Sequence, residues 1–354
     1  MKKYVSLFLV LAMALSLFAG CGSAPAAQPQ SETYIFTDDC GREVEIPADI
    51  SRIVPTGPLS QMVLFSLAPD MLVGLASKMG SATEGIIPEV YRSLPYFGQL
   101  YGSSDLNIES LALAAPQVII DIGEVKGSTA EDIEELQTQL GIPCVFIEST
   151  LETLPETYEK LGRLLGLEAE AKALGSFCAK VYERSLDLME QVGDSRVQAI
   201  YIPAYEGLSV LAKGSYHAEL IDLLCENAAV CEEIVSKGTG NPVDMEQIAL
   251  WDPECIIFGT PESYATLESD QAWQNLRSVT EGKVLLVPDA PLNWMGSPPG
   301  AQRILGLIWL TAVLYPDYCD YDVKAEVTEF YKLFFHCELT DEMYSEITAN
   351  AFFK

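Results

Sequence analysis

Histidine is scarce in this chain of 354 residues, which contains only His217 and His336. The nine cysteines include no Cys-x-x-Cys pair. Zinc and iron sites are usually built from closely spaced histidine and cysteine ligands. The sequence therefore argues against a metal site of this kind, and it predicts no cofactor.

Positive charge is also in short supply. Lysine and arginine number 21 against 51 acidic residues, which gives a formal net charge of −30. A protein that binds nucleic acid needs basic side chains for its phosphate contacts. We therefore exclude nucleic acid as a partner. The acidity favours solubility, and it would complement a basic docking surface.

Beyond the first stretch of the chain, no apolar run is long enough to cross a membrane. The most apolar later segment, residues 301–315, contains Arg303 and falls short of the roughly 20 residues that span a bilayer. We therefore expect no transmembrane segment after the N-terminal signal.

The N-terminus has the pattern of a processed leader. Lys2 and Lys3 precede an apolar stretch, and small residues lead into Cys21, as at the cleavage site of bacterial lipoproteins. We predict a signal peptide over residues 1–20, lipidation of Cys21 and a flexible tether over residues 21–32. The protein is then extracytoplasmic and held on the outer face of the cell membrane by lipid alone. A plain secretory signal or an uncleaved anchor is the alternative.

Export permits disulfides, but eight cysteines remain after Cys21 and the sequence does not determine their pairing. Cys144 and Cys255 lie in apolar runs that predict buried strands. We therefore expect these two to be free thiols in the core.

Two stretches, residues 107–121 and 244–258, resemble each other. Each begins with a capping residue and an acidic residue, continues as a helix, is stopped by proline and enters an apolar strand. A unit that recurs once predicts two similar lobes rather than a solenoid. Chance similarity is the alternative. The matched pairs are Glu109/Glu246, Ala112/Ala249, Leu113/Leu250, Pro116/Pro253, Ile119/Ile256 and Ile120/Ile257.

Strand patterns alternate with helix patterns on both sides of one long helical stretch, which predicts an α/β fold. We expect two lobes, each with a mostly parallel sheet flanked by helices, joined by a long connecting helix. The predicted boundaries are residues 33–152 for the N-terminal lobe, 153–193 for the connector and 194–354 for the C-terminal lobe with its terminal helices. A hairpin turn is predicted around Asp38, and a helix start at Ser297 and Pro298.

Several features occur in one order along the chain. They are the lipoprotein signal, residues 38–44, the paired helix-proline-strand units, the long connector and the segment 294–316. In this order they resemble the substrate-binding lipoproteins of ABC importers for iron-siderophores, haem and cobalamin, which are class III periplasmic binding proteins with a helical connector. The resemblance covers roughly residues 33–340.

The resemblance implies a protein that is not an enzyme. It implies capture of a metal chelate, such as a ferric siderophore, haem or cobalamin, in the cleft between the lobes. The partners are then an ABC permease and its ATPase. In related proteins one glutamate of each lobe docks into arginine pockets of the permease, and the matching positions here are Glu109 and Glu246.

Ligand-binding residues are expected on the loops at the carboxyl ends of the strands. Chelates and macrocycles need aromatic faces and a few polar groups. For His217 a structural place at a helix start, and for Arg303 an ion pair within its lobe, are the competing interpretations. The predicted ligand-binding residues are Thr56, Pro58, Lys78, Tyr96, Tyr101, Asp121, Tyr205, Tyr216, His217, Thr260, Trp294 and Arg303.

Two other functions compete with chelate binding. A receptor for an oxyanion such as molybdate or tungstate would use the helix starts near Gly57 and Gly296 together with a cation, for which Lys78 and Arg303 are candidates. An exported hydrolase is the weaker alternative, because the sequence has no Gly-x-Ser-x-Gly motif and only two histidines to act as a base.

Overall fold

The computed structural model describes residues 32–101, 105–203, 208–235 and 237–353. The predicted signal peptide, Cys21 and Tyr205 lie outside these ranges, as does nearly all of the tether. The described chain forms two α/β lobes joined by a long helix, which confirms the predicted fold class.

The N-terminal lobe begins with an antiparallel hairpin of β1 (Thr33–Thr37) and β2 (Glu43–Pro47). The carboxylate of Asp38 accepts hydrogen bonds from the N–H groups of Cys40 at 3.1 Å and Arg42 at 2.9 Å. These bonds fix the turn, so the predicted hairpin is confirmed.

A parallel sheet forms the centre of the N-terminal lobe. Its strands, in spatial order, are β3 (Ile53–Pro55), β4 (Val118–Gly123) and β5 (Cys144–Glu148). Alternate residues of these strands enter two separate core clusters, one on each face. Both faces are therefore covered, which explains why the strands are continuous apolar runs. The helices of this lobe are α1 (Pro58–Leu67), α2 (Glu89–Arg92), α3 (Ile108–Ala114) and α4 (Thr129–Leu140).

Two helices make the joint between the lobes. The first, α5 (Leu154–Leu165), ends at Gly166, which has the left-handed φ of 69°. The second, α6 (Glu168–Val192), is the 25-residue connecting helix. The two helices approach closely at Gly162, where an added Cβ would lie 2.5 Å from the Cβ of Ala171.

The C-terminal lobe contains a second parallel sheet. Its strands, in spatial order, are β11 (Val284–Leu286), β10 (Cys255–Phe258), β6 (Gln198–Ile202) and β8 (Glu226–Asn227). Two short strands, β7 (Ser209–Val210) and β9 (Asn241–Pro242), pair antiparallel beside it. The helices around this sheet are α7 (Glu219–Leu224), α8 (Met245–Trp251), α9 (Pro261–Ser269) and α10 (Arg277–Thr280).

Three helices complete the chain: α11 (Arg303–Leu314), α12 (Val323–Phe334) and α13 (Asp341–Ile347). The helix start predicted at Ser297 and Pro298 is wrong, because α11 begins only at Arg303. Pro298 is followed by Pro299, and a proline disfavours the helical conformation of the residue before it. The bond between Ser297 and Pro298 is cis.

The largest buried cluster runs from α1 through α6 to α11 and α12, so one core belongs to both lobes and to the connector. The eight cysteines of the described ranges are free thiols, and Cys144 and Cys255 are buried as predicted. In the part of the chain that the structure describes, none of the helices has the length and apolar character needed to cross a bilayer.

Candidate functional site

Loops that follow the strands of the two sheets meet between the lobes. Tyr216, just before α7, donates a hydrogen bond from its hydroxyl to the carbonyl oxygen of Ser149, just after β5, at 2.6 Å. The carboxylate of Glu219 accepts a hydrogen bond from the N–H of Leu151 at 3.3 Å. These two bonds cross from one lobe to the other, and the loops around them form a cleft.

Arg303 and His217 flank Tyr216 in this cleft. The guanidinium carbon of Arg303 lies 5.3 Å from the centre of the Tyr216 ring, and the ring of His217 meets it edge-on at 5.6 Å. Arg303 is buried and forms an ion pair with Glu219 of its own lobe. Among the described residues, neither the Nε of Arg303 nor the Nδ1 of His217 has a hydrogen-bond partner, and both are buried.

Burial determines the protonation states of His217 and Tyr216. Burial, followed by the positive charges of Arg303 and Lys126, lowers the pKa of His217 to about 4. Its imidazole is therefore neutral at physiological pH. Burial raises the pKa of Tyr216 to about 12, so the phenol stays protonated and remains a hydrogen-bond donor.

Thr56 and Asp121 form a buried pair at the start of α1. The hydroxyl of Thr56 donates a hydrogen bond to the carboxylate of Asp121, and both residues are buried. Burial raises the pKa of Asp121, while the bond from Thr56 opposes this rise. Because the two polar groups satisfy each other, they support the loop before α1.

Tyr96 and Tyr101 each lie beside a lysine. The Nζ of Lys78 is 5.7 Å from the centre of the Tyr96 ring, and the Nζ of Lys126 is 5.3 Å from that of Tyr101. The hydroxyl of Tyr101 donates a hydrogen bond to Asp132 at 2.9 Å. Such contacts between ammonium groups and rings contribute about 0.5–1 kcal/mol at exposed sites. They hold both lysines beside tyrosines of the N-terminal lobe.

A small cavity of about 90 Å³ lies between the lobes at the start of α1. No side chain caps this helix, because Gly57 occupies the capping position. The positive end of the helix dipole is therefore not neutralised by a capping side chain. Its lining includes Pro58, Lys78 and Thr83 of the N-terminal lobe and Pro291 and Pro298 of the C-terminal lobe.

The loop that carries Lys78 is held in place by Gln61 of α1. The side-chain oxygen of Gln61 accepts hydrogen bonds from the N–H groups of Ala76 at 2.8 Å and Ser77 at 2.9 Å. Gln61 is buried. The lysine and the helix start are therefore fixed relative to each other.

A larger cavity of about 660 Å³ lies beside Tyr216, with Tyr182 of α6 in its wall. Among the described residues, its lining carries carboxylates and no lysine or arginine. Across the described ranges, no group of acidic, histidine and cysteine side chains is arranged to hold a metal ion. The carboxylates of the lining are Glu124, Glu148, Glu152, Glu219 and Asp222.

Thr260 and Trp294, two further predicted residues, have structural roles. The hydroxyl of Thr260 caps α9 by accepting a hydrogen bond from the N–H of Ser263 at 3.1 Å. Trp294 is fully buried, with its ring edge-on to that of Trp309. The structure therefore does not bring the Trp294 ring to the surface of the cleft, because the ring fills the core under the loop.

Sequence reasoning missed three contributors to the cleft: Lys126, Glu219 and the carbonyl of Ser149. Lys126 follows closely after β4, and its position past a strand end is a signal that could have identified it. Glu219 lies in the first turn of α7. An acidic residue there is explained by the helix dipole, so the sequence gives no further reason to place it in the cleft. A backbone carbonyl leaves no signal in the sequence.

Glu109 and Glu246, the predicted docking residues, are exposed in the first turns of α3 and α8. Neither lines one of the two inter-lobe cavities. The structure thus places one of them on the outside of each lobe.

Known proteins resemble this chain in sequence and in fold. The model of the family described as periplasmic binding protein matches residues 95–291, more than half of the chain. The molybdate-binding protein MolA of Haemophilus influenzae is 25% identical over 336 residues, covering 85% of this chain and 90% of that protein.

Solved structures agree with this match. An ABC transporter solute binding protein from Sulfurospirillum deleyianum superposes with a TM-score of 0.82 at 28% identity, covering 89% of this chain and 99% of that one. The heme-binding protein RhuT from Roseiflexus, at 18% identity, shares the fold with a TM-score of 0.57 over 76% of this chain and 100% of its own. The chain therefore belongs to the periplasmic binding protein family, whose members are the extracytoplasmic substrate-binding components of ABC importers.

Proposed function

We propose that this protein captures a small oxyanion, of the molybdate or tungstate class, between its lobes. The observation that carries the proposal is the cavity of about 90 Å³ that both lobes line at the start of α1. One water molecule takes up about 30 Å³ of the liquid, so the cavity suits an anion of a few atoms. Pockets for drug-sized ligands are larger, roughly 300 to 1,000 Å³.

Charge at this cavity supports an anionic ligand. Lys78 lines the cavity, and its ammonium nitrogen lies 5.7 Å from the centre of the Tyr96 ring. The uncapped start of α1 adds the positive end of the helix dipole. An anion bound there interacts favourably with both.

The relative with a known ligand supports the same class. By its name, MolA of Haemophilus influenzae binds molybdate, and its similarity extends over most of both chains. We extend that ligand class, rather than one particular ion, to this chain.

Thermal unfolding and titration calorimetry test the proposal on the mature protein. Molybdate or tungstate should raise the melting temperature, because a ligand at 100 times its Kd stabilises the folded state by about 2.7 kcal/mol. Lys78→Gln should weaken this binding at least tenfold, whereas Lys172→Gln, an exposed lysine on α6, should leave it unchanged. An unaltered melting temperature with both oxyanions would contradict the proposal.

A metal chelate is the second candidate, and the larger cavity of about 660 Å³ favours it. This volume lies within the range of organic-ligand pockets, and the carboxylates of its lining would complement a positively charged complex. The same screen includes ferric siderophores, haem and cobalamin, and the acidic lining favours complexes that carry positive charge. Stabilisation by one of these and by neither oxyanion would establish the second candidate in place of the first.

We also propose that Glu109 and Glu246 bind the permease when the protein delivers its ligand. Both glutamates are exposed, and they occupy equivalent positions on the two lobes. The variant Glu109→Ala with Glu246→Ala should keep wild-type oxyanion affinity and lose import. Loss of oxyanion affinity in this variant would place the two helices at the ligand instead.

The anchoring at the N-terminus and the lobe boundaries also remain our proposals. Cleavage after residue 20 and lipidation of Cys21 would hold the protein on the membrane through the tether, and Cys21→Ser should release it into the medium. Limited proteolysis should remove the tether first and should cut later, and more slowly, near the limits 33–152, 153–193 and 194–354, because one buried core spans both lobes and the connector.

A further inference from the structure

The two repeat units, residues 107–116 and 244–253, present the same surface on each lobe. From the capping residue to the proline, exposed, half-buried and buried positions follow one another in the same order in both. A single fully buried side chain fastens each helix to its lobe, Leu111 in α3 and Ile248 in α8. The equivalence of the lobes therefore includes the side chains that face outward.

Both helices are capped at their N-termini by the same kind of bond. The side-chain oxygen of Asn107 accepts a hydrogen bond from the N–H of Ser110 at 2.9 Å. The carboxylate of Asp244 accepts one from the N–H of Gln247 at 2.7 Å. Helices of seven residues are marginal on their own, so these caps stabilise them in place.

The opposite ends are also fixed alike. Ala115 and Asp252 end the two helices in the left-handed conformation, with φ of 46° and 44°. Arg52 donates from Nε to the carbonyl oxygen of Ala115 at 3.2 Å, and Arg277 donates from Nη2 to that of Asp252 at 2.8 Å. Each lobe therefore holds its short helix at both ends and presents it rigidly.

A leucine stands exposed one turn after the glutamate on each helix. Leu113 is 87% exposed and Leu250 is 78% exposed, the two highest values among the large apolar side chains of the described residues. Residues four apart are neighbours on a helix surface, so Leu113 lies beside Glu109 and Leu250 beside Glu246. Neither leucine contributes to the core.

We infer that Leu113 and Leu250 are the apolar anchors with which the two lobes bind the permease. The inference rests on the proposed docking of Glu109 and Glu246. Two equivalent pairs of a carboxylate and a leucine fit a partner that offers the same site twice, as a two-fold symmetric membrane dimer does. Each of its sites then combines an apolar pocket with a basic group.

The leucine and the glutamate of each pair contribute differently to binding. Burial of the leucine in the pocket contributes affinity, because apolar surface leaves water. The carboxylate steers the approach to a basic surface, an effect that weakens with salt. The net charge of −30 acts in the same direction over longer distances.

Binding of the purified protein to the cognate permease–ATPase complex in lipid nanodiscs, measured by biolayer interferometry, tests the inference. Leu113→Asn with Leu250→Asn should lower the affinity by about tenfold or more, mainly through faster dissociation. The matched control is Leu186→Asn with Leu208→Asn, two leucines that are each 43% exposed elsewhere, and it should bind as the wild type does. Leu113→Met with Leu250→Met should retain most of the affinity.

The glutamate variant Glu109→Gln with Glu246→Gln separates the inference from the docking proposal. It should slow association and reduce its salt dependence. If the leucine variant binds the permease with unchanged affinity, the two leucines are not anchors. If the glutamate variant loses affinity in the same experiment, the docking proposal for the glutamates still holds. If neither variant loses affinity, both ideas are wrong. Loss in the leucine variant alone keeps these two helices as the docking surface, and it assigns the binding to the leucines and not to the glutamates. Unchanged melting temperatures and oxyanion binding verify that the variants are folded.

Discussion

The phenol of Tyr216 in the C-terminal lobe donates a hydrogen bond to the carbonyl of Ser149 in the N-terminal lobe at 2.6 Å. The acceptor is a backbone atom just after β5, an edge strand of the sheet. The N–H of Ser149 donates a hydrogen bond to the carbonyl oxygen of Gly123 in β4 at 2.9 Å, so its position is set by the sheet. The donor belongs to the loop that also carries His217. The geometry of the cleft at this point therefore depends on one side chain, while the other partner is fixed.

Removing this hydroxyl should weaken the contact between the lobes. Tyr216→Phe is expected to lower the free energy of unfolding in urea by about 1 kcal/mol, the net value of a typical hydrogen bond. Because burial raises the pKa of Tyr216 to about 12, the effect should be the same from pH 6 to pH 9. Tyr318→Phe, at an exposed tyrosine, is the control and should change nothing. A loss that grew steeply with pH in this range would contradict the assignment.

The sequence predicted the parts of the fold that depend on local patterns. β4 begins as a continuous apolar run, Val118 to Ile120, because both of its faces are covered, and α6 repeats its apolar positions over many turns. The sequence did not predict that α11 begins at Arg303. Pro298 alone is typical of a first helical position, but the proline after it disfavours a helical conformation at Pro298. The sequence also could not reveal the small cavity, whose walls come from loops that are distant along the chain.

His217 should give the protein a distinct dependence on pH. Its pKa is lowered to about 4 by burial and then by Arg303 and Lys126, whereas an unfolded histidine has a pKa of about 6.5. The unfolded state binds the proton more strongly, so the contribution of neutral His217 is complete above pH 6.5 and is lost as the pH falls toward 4.

Urea unfolding between pH 7 and pH 4 checks this expectation. In His217→Gln the free energy of unfolding should fall less over this range than in the wild type. A proton NMR titration of the imidazole, with its signal assigned by the variant, should show His217 still neutral at pH 5.5. A midpoint near 6.5 would mean that the ring is in contact with solvent.

Glu326 of α12 ties the terminal helices to the connector. Arg184 of α6 donates from both terminal nitrogens to its two carboxylate oxygens, at 2.8 and 2.7 Å, and Lys180 lies 2.9 Å away. Burial alone would raise the pKa of Glu326, but the bonds from Arg184 and Lys180 outweigh it and hold the pKa below its usual value.

The sign of the resulting pH effect follows from this lowered pKa. The stabilisation is complete above about pH 4.3, the pKa of an unfolded glutamate, and is lost as the pH falls through the lower pKa of the folded protein. Glu326→Gln should cost about 2 kcal/mol at pH 7 and less at pH 3, as measured by urea unfolding. Glu329→Gln, an exposed neighbour on the same helix, is the control. An equal cost at both pH values would show that packing, and not charge, is lost.

The close approach of α5 and α6 should depend on the missing side chain at Gly162. An added Cβ would lie 2.5 Å from the Cβ of Ala171 and 3.2 Å from the Cα of Glu168, and neither atom can rotate away. Gly162→Ala should therefore destabilise the protein by about 1–3 kcal/mol, although alanine favours a helix by about 1 kcal/mol over glycine. Gly127→Ala, where nothing lies within 4 Å of the added atom, is the control and should have almost no effect.

A second substitution identifies the contact responsible for this loss. Ala171→Gly removes the methyl group that the new Cβ would meet, so Gly162→Ala with Ala171→Gly should recover much of the lost stability in thermal unfolding, after subtraction of the cost of Ala171→Gly alone. The backbone of Glu168 remains 3.2 Å from the new atom, so recovery should stop short of the wild type. If the second substitution recovered nothing, the two helices would be kept apart by their backbones, and the stiffness of the joint would not rest on this pair of small residues.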